Sequence, residues 1–389
     1  MDSQGQRVVM KLGINAFNIR VGGGLYHLVE LLSSVNPLDY GFSTVVLWAN
    51  QATLSKVPDK IWLQKVEVRA LNKGWLSKLY WSFFIFPKEA RHCDLLFVPG
   101  GSYLGRFKPF VNMFQNVLPF EPKERSRYLL KSPGLYVKYA LLRMIQGLTC
   151  KRAQGAVFPS GYAKKLIYNS VKQMDTQRCT IISHGINPIF RDAFVRDHSS
   201  KLDGVIRLLY VSTIDLYKHQ WHLIKAAQML RQKGFRVVLD LVGSVGNASA
   251  LSRLQSAMKQ ADPSQAFIYY RGSVDYLALP ALYHQADIFV FASSCESISS
   301  IVLEAMASRL PIACSNRSVM PEVLRDAGVY FDPEDIGSIV EAISCLIEDG
   351  GLRQSCADKA AQYASGYSWE LCANQTFSFL KQIATESKV

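Results

Sequence analysis

Two glutamates, Glu296 and Glu304, stand with seven residues between them in the segment SSCESISSIVLEAMASRLP, residues 293–311. The apolar run DIFVFAS that leads into it reads as a buried strand, and a helix is expected to begin at Ser299 or Ser300. A helix start presents unpaired backbone N–H groups and the positive end of the helix dipole. Ser299, Ser300 and Ile301 can therefore hold an anion such as a phosphate. Glu296 falls in the loop before that start and Glu304 about one turn inside it. The two carboxylates then flank the anion and can accept hydrogen bonds from ligand hydroxyls, a sugar at one end and a ribose at the other.

A second segment, LLYVSTIDLYKHQWHLIKAA (208–227), runs from a strand through a loop holding Lys218 into a helix. A lysine at such a junction can set a point charge on a diphosphate. Gly243 with Ser244, and Gly272 with Ser273 and Val274, follow two further strands, where single glycines are common turn residues. In the first half, RVGGGLYHLVELL (20–32) sets Gly22, Gly23 and Gly24 before a helix, with His27 where a GxGxxG fingerprint needs its last glycine. On their own these glycines read as a flexible turn. His219 and His222 lie three apart without a third metal ligand, which reads as packing or surface, and there is no Asp-x-Asp pair.

The elements that must position these residues alternate strand and helix. Strands are expected within 8–17, 43–49, 65–71, 94–100, 110–114, 155–160 and 179–183, and helical periodicity falls between several of them, as in LYHLVELLSS. Near residue 188 the rhythm breaks at a polar stretch. A second series then runs through strands within 206–212, 236–243, 266–272, 287–293, 310–315 and 328–332. Short buried strands alternating with helices mean parallel βαβ units covered on both faces. The expected fold is α/β: a domain over 1–190, a linker over 191–204, a second doubly wound domain over 205–366 and a final segment over 367–389. Ligands in such sheets bind beyond the carboxyl ends of the strands, in a cleft that the two domains face.

Glu296 and Glu304, followed by Ala305-Met306-Ala307, a small residue and Pro311, resemble the signature of the family 4 retaining glycosyltransferases, whose fold is GT-B. The resemblance implies two Rossmann-like domains, a last helix within 367–389 that crosses back to the first of them, a nucleotide-sugar donor linked through UDP or GDP, and no metal or other cofactor. It implies that Glu296 contacts the donor sugar, that Glu304 holds the ribose, and that Lys218 neutralises the leaving diphosphate. Donor contacts are further implied for Gly23, Gly24, Thr213, Gly243, Ser244, Gly272, Ser273, Val274, Ser299, Ser300 and Ile301. Three departures stand out. Ser212 and Thr213 occupy the place of the family's Gly-Arg, and Ser299 and Arg309 replace frequent glycines. Gln115 and Asn116 stand where many relatives have His-Asp, and a glutamine can bind a hydroxyl but cannot take a proton.

The chain has 389 residues and a net charge of +13. Residues 1–195 carry 26 Lys and Arg against 11 Asp and Glu, while the remainder carries 18 against 20. A one-sided basic half attracts polyanions or is simply well solvated. The stretch 104–152 is expected to dock on anionic lipid and receive a lipid-linked or growing glycan acceptor, and no nucleic-acid motif accompanies it. No apolar run reaches the roughly 20 residues of a membrane span. The eight cysteines show no CxxC pairing, which reads as free thiols in a cytoplasmic protein, peripheral on the inner membrane face at most. The expectation is therefore a retaining hexosyltransferase of surface polysaccharide or glycolipid assembly. A catalytically impaired sugar-nucleotide-binding scaffold, or an epimerase or hydrolase on the same fold, is the alternative.

Overall fold

The computed structural model describes residues 9–20, 22–171, 177–191, 197–202 and 204–388. Two parallel sheets organise them. The first contains β1 (Met10–Asn15), β2 (Phe42–Ala49), β3 (Leu63–Glu67), β4 (Leu95–Val98), β5 (Phe110–Met113), β6 (Gly155–Phe158) and β7 (Cys179–Ile181), in the order β3-β2-β1-β4-β5-β6-β7. The second contains β8 (Ile206–Val211), β9 (Val237–Val242), β10 (Ile268–Tyr270), β11 (Ile288–Phe291), β12 (Ile312–Ser315) and β13 (Val329–Phe331), in the order β10-β9-β8-β11-β12-β13. Every residue of β4, β5, β6, β11 and β12 is buried, as helices on both faces require. Register follows from that burial: Leu96 lies beside Phe110 and Phe289 beside Ile312.

In each sheet the strand order reverses beside the first strand, between β1 and β4 and between β8 and β11. Connections diverge to opposite faces there and leave a crevice at the carboxyl ends.

The chain divides into two compact units, one drawn from 1–120, 137–185 and 368–389, the other from 121–136 and 186–367. The sequence reading put the boundary at 190. It falls earlier because Phe190 is buried edge-on against Tyr276 and Tyr283, rings of the second unit. Of the expected linker 191–204, residues 192–196 and 203 lie outside the described residues. Arg191 donates to the carbonyls of Ala364 and Tyr367 in that same unit. The excursion Glu121–Tyr136, which no sequence feature marked, also packs with the second unit.

The last helix, Trp369–Glu386, is capped by Ser368 and buries Trp369, Cys372, Phe377, Leu380 and Ile383 in the core of the first unit, together with Leu25, Leu28 and Leu32 of the helix Gly23–Ser33. Among the described residues no helix is long and apolar enough to cross a membrane.

Candidate functional site

At the second switch point β8 ends at Val211 and β11 at Phe291. The loop after β8 passes Lys218 and enters the helix Gln220–Gln232, while the loop after β11 passes Glu296 and enters the helix Ser300–Ala307. This brings Lys218 and Glu296, 78 positions apart, into an ion pair. The Lys218 ammonium also lies over the rings of Tyr217 and Phe291, 5.0 and 5.3 Å from their centroids. Ser293 Oγ donates to Glu296 Oε1 at 2.6 Å. The Glu296 N–H donates to Ser318 Oγ at 2.8 Å, and that hydroxyl donates back to the Glu296 carbonyl at 2.7 Å. The loop is thus fixed through both backbone and side chain. Ser299 caps the helix, its Oγ accepting from the Val302 N–H. The helix therefore starts at Ser300, one of the two starts the sequence offered, and presents the N–H groups of Ser300 and Ile301 to an anion, that of Val302 being taken by the cap.

Glu304 is buried one turn in. The hydroxyls of Tyr276 and Tyr283 each donate to it at 3.2 Å, one to each carboxyl oxygen. Burial raises its pKa from 4.5 to about 8, and the two tyrosine hydrogen bonds oppose the rise without cancelling it. Glu304 is therefore mostly protonated at neutral pH.

The remaining predicted residues of this unit line the neighbouring strand ends. Gly243 has φ 146°, and a Cβ there would overlap the Ser212 carbonyl, so only glycine lets the two loops touch. Its N–H donates to the Gly272 carbonyl and its own carbonyl accepts from the Tyr270 hydroxyl, both at 2.8 Å. Ile214 N–H likewise donates to the Ser244 carbonyl at 2.8 Å. These backbone groups fasten the loops to one another. The exposed side chains of Ser244, Ser273 and Thr213 stand at their rim, with the Thr213 carbonyl taken by Gln220 Nε2. Arg309, where the family often has glycine, adopts φ 57° and pairs with Asp358.

Gln115, Gly23 and Gly24 belong to the first unit. Gln115 Oε1 would lie 2.7 Å from a Cβ on Gly24, and its Nε2 lies 3.4 Å from His27 Nδ1. The glycine thus makes room for the glutamine at the end of β5. His27 is buried against His184 and Trp369, and burial lowers the pKa of both histidines, that of His184 to about 4.

Sequence reasoning missed a hub at Ser294. Its Oγ lies 2.9 Å from His219 Nε2, 2.8 Å from Glu124 Oε2 and 3.2 Å from the Tyr217 carbonyl. Burial pushes the His219 pKa down to about 3, with the Arg127 charge next in effect, so the ring is neutral. The neutral ring bonds Ser294 through Nε2, and the serine can give its one proton to the Glu124 carboxylate or to the Tyr217 carbonyl. His219, read from sequence as packing or surface, is therefore a bonded member of the site, with φ 52° at the start of its helix. Arg127 grips Glu124 through Nε at 2.6 Å and Nη2 at 3.2 Å, and reaches Glu334 at 2.8 Å. Burial would raise the Glu334 carboxyl, but hydrogen bonds from Lys123, Arg127 and Arg317 hold it well below the usual range. The basic stretch 104–152 is accordingly not one free face, since Lys123 and Arg127 are spent here and Arg152 bonds the carbonyls of Leu104 and Gly105. No local pattern announces Glu124, because its partner Ser294 is 170 positions away.

Residues 193–363, which contain Lys218, His219, Ser294, Glu296 and Glu304 but not Lys123, Glu124 or Arg127, match the family model described as glycosyl transferases group 1. An O-antigen chain mannosyltransferase B of Escherichia coli is 33% identical over 175 residues, 44% of this chain and 45% of that protein. A D-inositol 3-phosphate glycosyltransferase of Salinispora arenicola is 31% identical over 159 residues, 38% of this chain and 35% of that protein. The matched stretches thus span less than half the length of these relatives. Solved structures are alike over nearly the whole chain. A sucrose-phosphate synthase from Thermosynechococcus elongatus has TM-score 0.76 and 14% identity over 97% of this chain and 100% of that one. WaaG, a glycosyltransferase involved in lipopolysaccharide biosynthesis, has TM-score 0.68 and 14% identity over 95% and 99%. The fold is GT-B. Anabaena HepE, solved in complex with UDP and glucose, shares it with TM-score 0.68 and 15% identity over 97% of this chain and 99% of that one.

Proposed function

We propose that the protein is a retaining, metal-independent hexosyltransferase of the family 4 type. It moves a sugar from a UDP- or GDP-sugar to a glycan or lipid-linked acceptor during surface polysaccharide or glycolipid assembly, in the cytoplasm or at the inner membrane face. The observation that carries this reading is the Lys218–Glu296 pair at the β8/β11 switch point, beside a helix start bracketed by Glu296 and Glu304, inside the stretch that matches the glycosyltransferase model.

In this reading the diphosphate lies on the first-turn N–H groups of Ser300–Ala307, and Lys218 turns from Glu296 to the phosphate as the donor enters. Glu296, released, accepts hydrogen bonds from the sugar, and Glu304 meets the ribose. The bond between the anomeric carbon and the phosphate oxygen breaks, and the acceptor oxygen bonds that carbon on the same face. The acceptor proton passes to the departing phosphate. Gln115 orients a hydroxyl and takes no proton, so the rate rests on stabilising the leaving charge.

Incubation with a panel of UDP- and GDP-sugars, following nucleoside diphosphate release and the anomeric configuration of the product by NMR, tests it. Release that persists in EDTA, with retained configuration, is expected. Inverted product, or dependence on a divalent ion, overturns the mechanism. A second reading, a binding scaffold without turnover, is favoured by Thr213 standing in the place of a leaving-group arginine. Tight nucleotide-sugar binding with no release would establish it.

A further inference from the structure

His27 stands where a dinucleotide fingerprint would have a glycine, and the sugar-transfer reading leaves it unused. In the first unit it lies near the start of the helix Gly23–Ser33 and is fully buried. Its ring is tilted on that of His184 at 4.7 Å and edge-on to that of Trp369 at 5.7 Å. Packed in this way, the ring points its two nitrogens in fixed directions. Nδ1 lies 3.4 Å from Gln115 Nε2, and Nε2 lies 3.8 Å from Cys372 Sγ.

Gln115 follows β5, and its Nε2 also lies 3.9 Å from the sulfur of Met113, the last residue of that strand. A thioether sulfur accepts a hydrogen bond but cannot donate one, so the end of the amide that faces it is the NH2 end. The same NH2 then donates to His27 Nδ1, which must be bare, and the ring carries its proton on Nε2, toward Cys372. Burial holds the ring in the neutral form that this needs. The other end of the amide, Oε1, lies over Gly24 in the glycine-rich loop, where a Cβ would come within 2.7 Å of it. Gly24 is half-buried and Gly23 exposed, so the amide runs from buried acceptors to the edge of that loop. A glutamine whose amide can turn offers a ligand either an acceptor or a donor. One that is held offers an acceptor alone, and a ligand group without a proton to give is then bound poorly.

We propose that His27 is a positioning residue that holds the Gln115 amide with Oε1 toward the ligand, so that Gln115 selects a hydroxyl of the transferred sugar by accepting its hydrogen bond. That the hydroxyl belongs to a sugar rests on the sugar-transfer reading, whereas the hold on the amide does not.

Two measurements on the full chain test it. Nitrogen NMR of protein labelled in its histidines, with the His27 signal assigned by its loss in His27→Phe, reads the tautomer without any turnover. A neutral ring with its proton on Nε2 is expected. A proton on Nδ1 would overturn the proposal, because Gln115 would then face the ring with its oxygen. Kinetics read the selection. The sugar nucleotide that turns over is compared with analogues in which one hydroxyl at a time is replaced by fluorine, which cannot donate. Wild type should prefer hydroxyl to fluorine at one position, and Gln115→Ala should lower that preference about tenfold in kcat/KM. His27→Phe keeps a packed ring without an acceptor and should lower it about as far. His27→Asn loses the ring but sets an oxygen as many bonds from Cβ as Nδ1, and should keep most of the preference. A role in packing alone would rank these two variants the other way. The preference is a ratio, so the fraction of folded protein cancels from it. Equal preference in wild type and all variants, or preference kept by His27→Phe and lost by His27→Asn, would overturn the proposal. Should the tautomer be as expected while no sugar nucleotide turns over, the sugar-transfer reading falls and takes the selection with it, and the hold on the amide stands.

Discussion

At the residue scale, Lys218 is the shared partner of two anions, the Glu296 carboxylate it holds in the structure and the phosphate it would meet in the donor. Glu296→Gln removes its internal competitor. We expect nucleoside diphosphate affinity to stay within about threefold of wild type or to rise, while sugar transfer falls on the order of a hundredfold. Lys218→Ala should weaken both. Calorimetry on the diphosphate and turnover on the sugar nucleotide measure the contrast, and parallel losses in Glu296→Gln would refute it. Glu304 makes a different prediction, about stability. Its folded pKa of about 8 lies above its ordinary 4.5, so the folded state holds a proton that the unfolded state gives up. Stability should therefore fall as pH rises from about 5 to 8 and level off above, a cost on the order of a few kcal/mol. Glu304→Gln should flatten that slope in thermal melts across this range, and an unchanged slope would show that the carboxyl is ionised. Both glutamates were legible from spacing because a loop and one helical turn fix where they fall. The tyrosines that hold Glu304 were not, since Tyr276 and Tyr283 reach it from 28 and 21 positions away.

At the scale of elements, strands such as Leu95–Val98 and Ile288–Phe291 could be read directly, because a strand covered on both faces must be a short unbroken apolar run. A helix start was legible where a serine stands before the run, as at Ser299. The segment Pro122–Ser126 was not, because its place is decided by what Glu124 touches rather than by its own pattern. That contact has consequences for the site. Glu124 fixes Ser294, two positions before Glu296, and Ser294 is also bonded to His219, next to Lys218. Glu124→Ala leaves Arg127 and Ser294 short of a buried partner, and we expect a loss of roughly 3 kcal/mol in stability. At temperatures where the variant is still folded, nucleotide affinity should fall about tenfold, because the Lys218 and Glu296 loops lose their common anchor. Glu124→Gln keeps a hydrogen-bond acceptor for Ser294 and should recover most of the affinity but little of the stability. Chemical denaturation and nucleotide titration on the two variants measure this, and wild-type affinity in Glu124→Ala would show that the loops hold their places without it.

At the scale of the whole molecule, the two units exchange chain. The first half lends residues 121–136 to the second unit, and the chain end lends 368–389 to the first. The alternation of strands and helices made two sheets legible, and the resemblance of the last helix to the family's foretold its crossing back, but nothing local revealed the loan of 121–136, whose contacts lie far along the chain. The exchange bears on how the protein can be divided. Cutting after Gly185, where the long segment of the second unit begins, strips the first unit of the helix Trp369–Glu386 and so uncovers the pockets that hold Trp369, Phe377, Leu380 and Ile383. At roughly 1.5–3 kcal/mol for each buried side chain, that loss rivals the ~5–15 kcal/mol that holds an ordinary domain folded. The same cut deprives the second unit of Lys123, Glu124 and Arg127, leaving Ser294 without its carboxylate and Glu334 with Arg317 but without its other two cations. Fragments 1–185 and 186–389, expressed apart, should therefore show no cooperative melt for the first and no nucleotide binding for the second. Expressed together they should recover both, since every lost contact is supplied by the other piece. A cooperative melt of 1–185 alone, followed by circular dichroism, would mean that the last helix lies on a core already complete without it.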